Sequence, residues 1–181
     1  FTGRGVHYCA ICDGHFYKDK TVAVIGGGNS ACEEALGLAN ICEKVYIVEF
    51  TDKLNADAVT LDLIKKKDNI EVHTSRRVEE IVGDKKVTGI NLTDLRKICF
   101  DFHYDVDAVF PYIGMEANSD MFNVEKKNGF IITDEYMKTN IEGIYAVGDV
   151  RDKVLRQVMT ATADGAIAGV EVAKYLTFLN R

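Results

Sequence analysis

Two cysteines separated by two residues, Cys9 and Cys12, stand shortly before an apolar segment that runs into a glycine-rich turn at residues 26–31. A Cys-x-x-Cys pair can alternate between a dithiol and a disulfide. The G-x-G-x-x-A spacing of the turn is typical of loops that hold the pyrophosphate of a dinucleotide. Together, the two motifs predict reduction of a disulfide with electrons from a nicotinamide cofactor.

The cysteine pair on its own admits three interpretations: half of a structural zinc site, an inert pair, or a redox couple. A structural zinc site needs four ligands. The sequence has no second Cys-x-x-Cys and no histidine pair at zinc-binding spacing, although His7 and His15 flank the motif. We therefore expect no metal. Asp13, directly after Cys12, carries a carboxyl group that could protonate a leaving thiolate; the alternative is a turn or cap residue.

The glycine-rich turn has a physical reason at three positions. Gly26 permits the tight turn, Gly28 lets the backbone approach the pyrophosphate, and Ala31 lets the following helix lie close to the strand. The N–H groups at the start of that helix then face the phosphates. An ordinary glycine-rich turn is the alternative. The predicted dinucleotide contacts are Gly26, Gly27, Gly28, Asn29, Ser30 and Ala31.

Glu49 follows the second apolar segment, where a carboxylate accepts hydrogen bonds from the adenosine ribose hydroxyls. The same carboxylate repels a 2′-phosphate. Residues 49–55 contain no arginine, and their one cation, Lys53, is interpreted as solvated. The sequence therefore favours NADH over NADPH.

The segments around these motifs predict an α/β fold, namely a doubly wound parallel sheet with an antiparallel β-meander, as in a Rossmann-like NAD(P)-binding domain. Apolar runs and helical spacing predict strands over 21–25 and 45–48 and helices over 29–39 and 57–67. Period-two alternation predicts three antiparallel strands, over 70–73, 77–84 and 87–92. The arginines at 76 and 77 are expected on a solvated face.

A further buried strand is predicted over 105–110, just before the chain's single proline, Pro111. A domain boundary is expected there, which separates a domain of residues 1–112 from a segment of residues 113–181. In the second segment, strands are predicted over 129–132 and 144–147, and a long apolar-faced helix over 160–179.

Composition excludes several classes of function. The chain has 181 residues, of which 47% are hydrophobic and 28% charged, and no apolar run is long enough to span a membrane. Its net charge of −6 disfavours nucleic acid as a partner. Cys32, Cys42 and Cys99 are isolated and expected to be inert, which fits a reducing, cytoplasmic compartment. Because the chain begins at Phe1 without methionine, we expect it to continue a longer polypeptide.

The motifs in combination resemble the pyridine nucleotide-disulfide oxidoreductases, specifically the low-molecular-weight thioredoxin reductases. The resemblance spans essentially the whole chain. The segments that carry it are Gly3-Arg4-Gly5-Val6, Cys9-Ala10-Ile11-Cys12-Asp13-Gly14, the glycine-rich turn with Glu33-Glu34-Ala35, Ala146-Val147-Gly148-Asp149-Val150 and Arg156-Gln157.

The resemblance implies FAD as a second cofactor. Gly148 and Asp149 look like the contact to the flavin ribityl and pyrophosphate, and Arg156, Gln157 and Val158 like the residues near the isoalloxazine ring. The family's N-terminal half of the FAD domain, with its own G-x-G-x-x-G, is not in this sequence. Residues 113–181 are therefore expected to form the C-terminal part of an FAD-binding domain, with an incomplete flavin site.

By the same resemblance, electrons pass from NAD(P)H through FAD to the Cys9–Cys12 disulfide, and then to thioredoxin or a similar small disulfide protein. Cys12 faces the flavin, Cys9 attacks the substrate disulfide, and Asp13 is the acid. The resemblance also implies a homodimer. It further implies rotation of the nucleotide domain about two linkers, near residues 1–4 and 112–117.

Two departures keep alternatives open. Where the NADPH users of the family carry arginines, residues 48–53 look more like the NADH-using flavoprotein subunit of alkyl hydroperoxide reductase. The absent half of the flavin site also allows a catalytically silent nucleotide-binding fragment. A third alternative is a reductase that takes electrons from another donor and has lost nucleotide binding. The glycines of the turn argue against this alternative.

Overall fold

A computed structural model describes residues 1–97 and 101–179, and it divides the chain into two compact units, Phe1–Gly114 and Met115–Arg181. The first unit contains, in chain order, α1 (Ala10–Asp13), β1 (Thr21–Ile25), α2 (Asn29–Leu38), β2 (Lys44–Val48), α3 (Ala58–Lys65), β3 (Ile70–His73), β4 (Arg76–Gly83), β5 (Val87–Asp94), β6 (Asp101–Asp105) and β7 (Ala108–Pro111). Cys99 lies outside the described residues.

A four-stranded parallel sheet, in the order β3-β2-β1-β7, forms the centre of this unit. One face packs on α2, and the other packs on a second core that includes Ile90 and Leu92 of the meander. Because both faces of β1 are covered, its residues 22–25 are all apolar rather than alternating in polarity. The predicted α/β fold, with its parallel sheet and antiparallel strands, is confirmed.

The predicted direction of residues 70–73 is wrong. They form β3, which pairs in parallel with β2 through Val45 and Ile70, and they do not open the antiparallel meander. As the edge of the sheet, β3 is only partly covered, and its two central residues are exposed. Alternating polarity reports one-sided burial and does not reveal strand direction, which explains the error.

The meander consists of β4, β5 and β6 and is antiparallel. The strands predicted over 77–84 and 87–92 are confirmed, but the strand predicted over 105–110 is two strands. Asp105 ends β6 opposite Gly89, and β7 starts only at Ala108. Between them the chain passes from pairing with β5 to pairing with β1, and the side chain of Asp107 there accepts a hydrogen bond from the backbone N–H of Thr21.

Arg76 is not solvated as expected. Its Nη1 lies 2.6 Å from Oδ2 of the fully buried Asp94, its direct partner in the β4–β5 pairing, and its guanidinium covers the Phe102 ring. The opposite charge and the aromatic face compensate for the loss of water around both ions.

The second unit contains β8 (Lys126–Lys127), β9 (Phe130–Ile131), a 3₁₀ turn at Gly148–Val150 and the long helix α4 (Val158–Leu179). The helix predicted over 160–179 is confirmed, and the strand predicted over 129–132 is present as β9. The strand predicted over 144–147 is absent from the described structure: only Tyr145 makes an isolated bridge, to Lys138. The N–H of Ile144 closes a local turn onto Ile141, and the N–H of Ala146 donates to Met137 beside the bridge.

No helix in the described parts of the chain combines the length and the apolar character that crossing a membrane requires.

Candidate nucleotide and dithiol site

Cys9 and Cys12 are joined by a disulfide at the short helix α1. Cys9 is the N-cap residue of α1, and its sulfur accepts a hydrogen bond from the backbone N–H of Cys12. Cys9 is half-buried, whereas Cys12 is exposed. Within residues 1–97 and 101–179, no three His, Cys, Asp or Glu side chains are arranged to hold a metal ion. A sulfur that caps a helix is stabilised as a thiolate when the disulfide is reduced.

Asp13 ends α1 and is held by a buried imidazole. Its Oδ2 lies 3.0 Å from Nδ1 of His7, and Nε2 of His7 lies 2.7 Å from the hydroxyl of Tyr17. Burial raises the pKa of Tyr17, and the negative charges of Asp13 and Asp107 raise it further. Tyr17 therefore keeps its proton as a hydrogen-bond donor. Neither His7 nor Tyr17 stands out in the sequence as a partner of Asp13.

The glycine-rich turn follows β1 directly. Gly26 has a φ of +122°, and a Cβ there would overlap the carbonyl oxygen of Tyr112. Tyr112 donates its backbone N–H to Ile25, and its hydroxyl accepts the N–H of Ala10 in α1. Tyr112 thus touches both the turn and the disulfide helix, a role that no pattern in the sequence indicates.

Gly27 gives the carboxylate of Glu49 room beside the turn, because a Cβ on Gly27 would lie 2.7 Å from Oε2 of Glu49. Oε1 of Glu49 accepts hydrogen bonds from both the backbone N–H and the hydroxyl of Thr51, each 2.7 Å long. The carboxylate is therefore fixed at the end of β2.

The thiol of buried Cys32 donates to the carbonyl of Gly27. Burial first, and then the nearby carboxylates, raise the pKa of Cys32 to about 11.

The start of α2 is open to a ligand. Gly28 is its N-cap residue and supplies no side-chain cap. Among the described residues, Gly28 and its chain neighbours aside, no heavy atom lies within 4 Å of the position that a Cβ on Gly28 would take. The side chain of Asn29 accepts the N–H of Asp57 and so does not cap the helix either. The first N–H groups of a helix have no partner within it and carry partial positive charge. This arrangement fits a pyrophosphate, next to exposed Ser30.

In the second unit, a buried carboxylate supports the turn that contains Gly148. Oδ2 of Asp164 in α4 accepts the N–H of Gly148 and forms ion pairs of 2.9 Å with Arg151 and 2.7 Å with Lys153. Burial alone raises the pKa of Asp164, but hydrogen bonds from Lys153, Arg151 and the Gly148 N–H lower it to about 2. A charged residue amid the apolar residues of a long helix is the signal that could have identified Asp164.

Asp149 and Arg156 lie close together in this unit. Nε of Arg156 donates to the backbone carbonyl of Asp149, and the guanidinium stacks 4.1 Å from the centre of the Phe130 ring. Gln157 is half-buried, and the side chain of Val158 is exposed. The main chain of Asp149 thus holds a cation in place, and the Asp149 side chain itself is exposed; a carboxylate and a guanidinium fit the hydroxyl and phosphate groups of a flavin cofactor.

Known proteins resemble this chain along nearly all of its length. Thioredoxin reductase of Listeria innocua is 43% identical over 179 residues, which are 97% of this chain and 56% of that protein. The crystal structure of thioredoxin reductase from Streptococcus pyogenes has a TM-score of 0.88 at 40% identity and covers 96% of this chain and 58% of its own. The structure of thioredoxin reductase from Giardia duodenalis has a TM-score of 0.84 at 30% identity. The match covers 96% of this chain and 58% of that one.

This chain therefore spans little more than half the length of the relatives it matches. A sequence model for the family described as pyridine nucleotide-disulphide oxidoreductase matches residues 1–165. Because that match includes the disulfide, the glycine-rich turn and the Gly148 turn, and because the solved relatives share the fold, the chain belongs to the pyridine nucleotide-disulphide oxidoreductase family.

Proposed function

We propose that this chain is the nucleotide-binding domain and the C-terminal flavin-domain segment of a thioredoxin reductase. The domains are residues 1–112 and 113–181. The observation that carries this proposal is the Cys9–Cys12 disulfide on α1, in the same compact unit as the open N-terminus of α2. The named relatives are thioredoxin reductases, so the alkyl hydroperoxide reductase alternative is not favoured.

The nicotinamide dinucleotide binds over residues 26–31. The N–H groups at the start of α2 bind its pyrophosphate, and Glu49 binds the adenosine ribose. Since Glu49 is already held by two hydrogen bonds from Thr51, it meets the ribose hydroxyls without reorganising. The same fixed charge opposes a 2′-phosphate, which supports NADH as the donor.

FAD binds through Gly148, Asp149, Arg156, Gln157 and Val158, together with residues of the longer protein that lie outside this chain. When bound, the two cofactors supply the electron pair that reduces the Cys9–Cys12 bond. Within this chain, the helix N-cap position stabilises the Cys9 thiolate, which attacks the partner disulfide, and Asp13 exchanges the proton.

A small disulfide protein such as thioredoxin fits the surface around the cysteines. Tyr8, Ile11 and Phe16 surround the motif in sequence and are 65%, 66% and 78% exposed. Apolar side chains this exposed mark a surface for another protein rather than for a small polar substrate. Free, buried Cys32 and Cys42 support a cytoplasmic location. A homodimer stays a prediction.

Thiol labelling tests the proposal. The longer protein that contains this chain, loaded with flavin, is incubated without coenzyme, with NADH or with NADPH in the absence of oxygen. It is then alkylated and mapped by mass spectrometry. We expect the Cys9–Cys12 pair to be labelled only after reduced coenzyme is added, and more with NADH. Cys12→Ser serves as a control, because it should abolish dithiol turnover and leave coenzyme affinity unchanged. Equal labelling with and without coenzyme contradicts the proposal and favours a catalytically silent nucleotide-binding fragment.

A further inference from the structure

The imidazole of His7 is 90% buried directly beside the dithiol motif, and both of its nitrogens have partners. Its backbone N–H donates to Val109 of β7, so the residue is anchored to the parallel sheet and not to a mobile loop. Its ring stacks on that of Phe110, with 5.7 Å between ring centres and 30° between the ring planes, and the Tyr17 ring meets it edge-on. Nucleotide binding and disulfide formation do not require such an arrangement.

The hydrogen-bond chain fixes which nitrogen carries the proton. An ionised carboxylate only accepts hydrogen bonds, so Nδ1 of His7 must donate to Asp13. In the neutral ring, Nε2 then accepts, and the Tyr17 hydroxyl is the donor that satisfies it. The raised pKa of Tyr17 keeps that hydroxyl protonated. The titratable groups in contact with His7 are Asp13 and Tyr17, and Asp107 acts on Tyr17 from farther away.

We propose that His7 is a positioning residue for Asp13, and that Tyr17 fixes its tautomer. This inference rests on the proposed role of Asp13 as the proton-exchanging group of the dithiol. The Nδ1–H of His7 holds Oδ2 of Asp13 in place, and the other carboxylate oxygen exchanges the proton with sulfur.

The chemical step can be followed with a small aromatic disulfide as the oxidant. The Cys9 thiolate attacks one sulfur of the probe, which forms a mixed disulfide and expels the first aromatic thiolate with the electron pair of the broken bond. Asp13 then takes the proton of the Cys12 thiol while that sulfur attacks Cys9. The Cys9–Cys12 bond forms, the second aromatic thiolate leaves, and the probe has been reduced by two electrons. His7 acts only in this second step, which we call closure.

Two substitutions of His7 separate its two hydrogen bonds. The amide nitrogen of Asn lies near the position of Nδ1, and that of Gln lies near the position of Nε2. His7→Asn therefore keeps a donor for Asp13, whereas His7→Gln keeps a partner for Tyr17 and loses Asp13. Tyr17→Phe removes only the hydroxyl that fixes the tautomer.

Stopped-flow release of the aromatic thiolate from 5,5′-dithiobis(2-nitrobenzoate), added to the prereduced protein, measures both steps. We expect His7→Gln to slow closure about tenfold, a fraction of the full effect of general acid–base catalysis. The first attack should keep its rate. His7→Asn should retain most of the closure rate, and Tyr17→Phe should give an intermediate loss. This assay needs neither flavin nor coenzyme, so its outcome is separate from that of the labelling test above.

A matched control lies elsewhere in the same unit. His73 also has a tyrosine hydroxyl on Nδ1, from Tyr104, and a carboxylate 2.9 Å from Nε2, from Glu71. His73→Gln should therefore leave closure unchanged. The inference is overturned if His7→Gln and His7→Asn slow closure equally, or if both steps slow together, because loss of α1 structure would do that. If Asp13→Asn leaves closure unchanged, both the role of Asp13 and this inference are wrong.

Discussion

The ion cluster around Asp164 predicts a pH-dependent contribution to stability. The pKa of this carboxyl group falls from its ordinary value of 3.8 to about 2. That difference corresponds to about 2.5 kcal/mol without screening, and we expect about 1–2 kcal/mol once screening by the surrounding solvent is allowed for. Because the folded pKa is depressed, the contribution is complete above about pH 4 and is lost as the pH falls towards 2.

Asp164→Asn tests this contribution, because the amide oxygen can still accept the N–H of Gly148 while the charge is removed. At pH 7 we expect the free energy of unfolding to fall by about 1–3 kcal/mol, since two poorly solvated cations lose their counter-ion. The loss should shrink as the pH is lowered from 5 to 2. Urea denaturation of the purified protein, followed by circular dichroism across this pH range, measures both quantities.

The control is Asp152→Asn, which removes a partly exposed carboxylate 3.2 Å from Lys127. A surface ion pair of this kind should change the free energy of unfolding by less than about 0.5 kcal/mol. If the difference between the native protein and Asp164→Asn is the same at pH 5 and pH 2, the depressed pKa does not stabilise the fold, and the reasoning fails.

Three further predictions concern the first unit. Gly26→Ala should destabilise the first unit by about 1–3 kcal/mol in urea denaturation, because the positive φ of Gly26 and the Tyr112 carbonyl exclude a methyl group. Gly28→Ala, where space is open, should keep the urea midpoint and weaken coenzyme binding. Equal midpoints for the two variants would contradict this. After reduction, iodoacetamide at pH 8 should label Cys9 and Cys12 in the native protein. Cys32 and Cys42 should react only after denaturation, because both are buried and burial raises their pKa values to about 11. Comparable labelling rates for the two pairs would refute this prediction. Glu49→Arg should raise affinity for NADPH relative to NADH about tenfold in a titration, and unchanged discrimination would remove Glu49 from the ribose site.

Local features of the sequence predicted much of the fold. The β1 strand, the glycine-rich turn and α2 follow from neighbouring residues, because turn, helix start and strand burial are all set within a few positions. The direction of β3 was not predictable in this way, since its polarity pattern is the same in either direction.

Contacts between residues far apart in sequence also escaped prediction. Arg76 was expected to be solvated, because its neighbours in sequence do not reveal that the pairing of β4 with β5 places Asp94 beside it. Likewise, Gly148 and Asp164 are 16 positions apart, and nothing local to either residue encodes their hydrogen bond. Candidate chemical groups can thus be identified from sequence, while the side chains that hold them depend on tertiary packing.

Tyr112 links two parts of this domain that are far apart in sequence. Its main chain lies against Gly26, and its phenol oxygen meets α1 at Ala10. A substitution that moves both the main chain and the ring of this residue disturbs both places at once. Under the proposed function, variants of this one aromatic residue that are selected for a change in coenzyme binding should therefore be screened for a change in thiol reactivity, and the reverse.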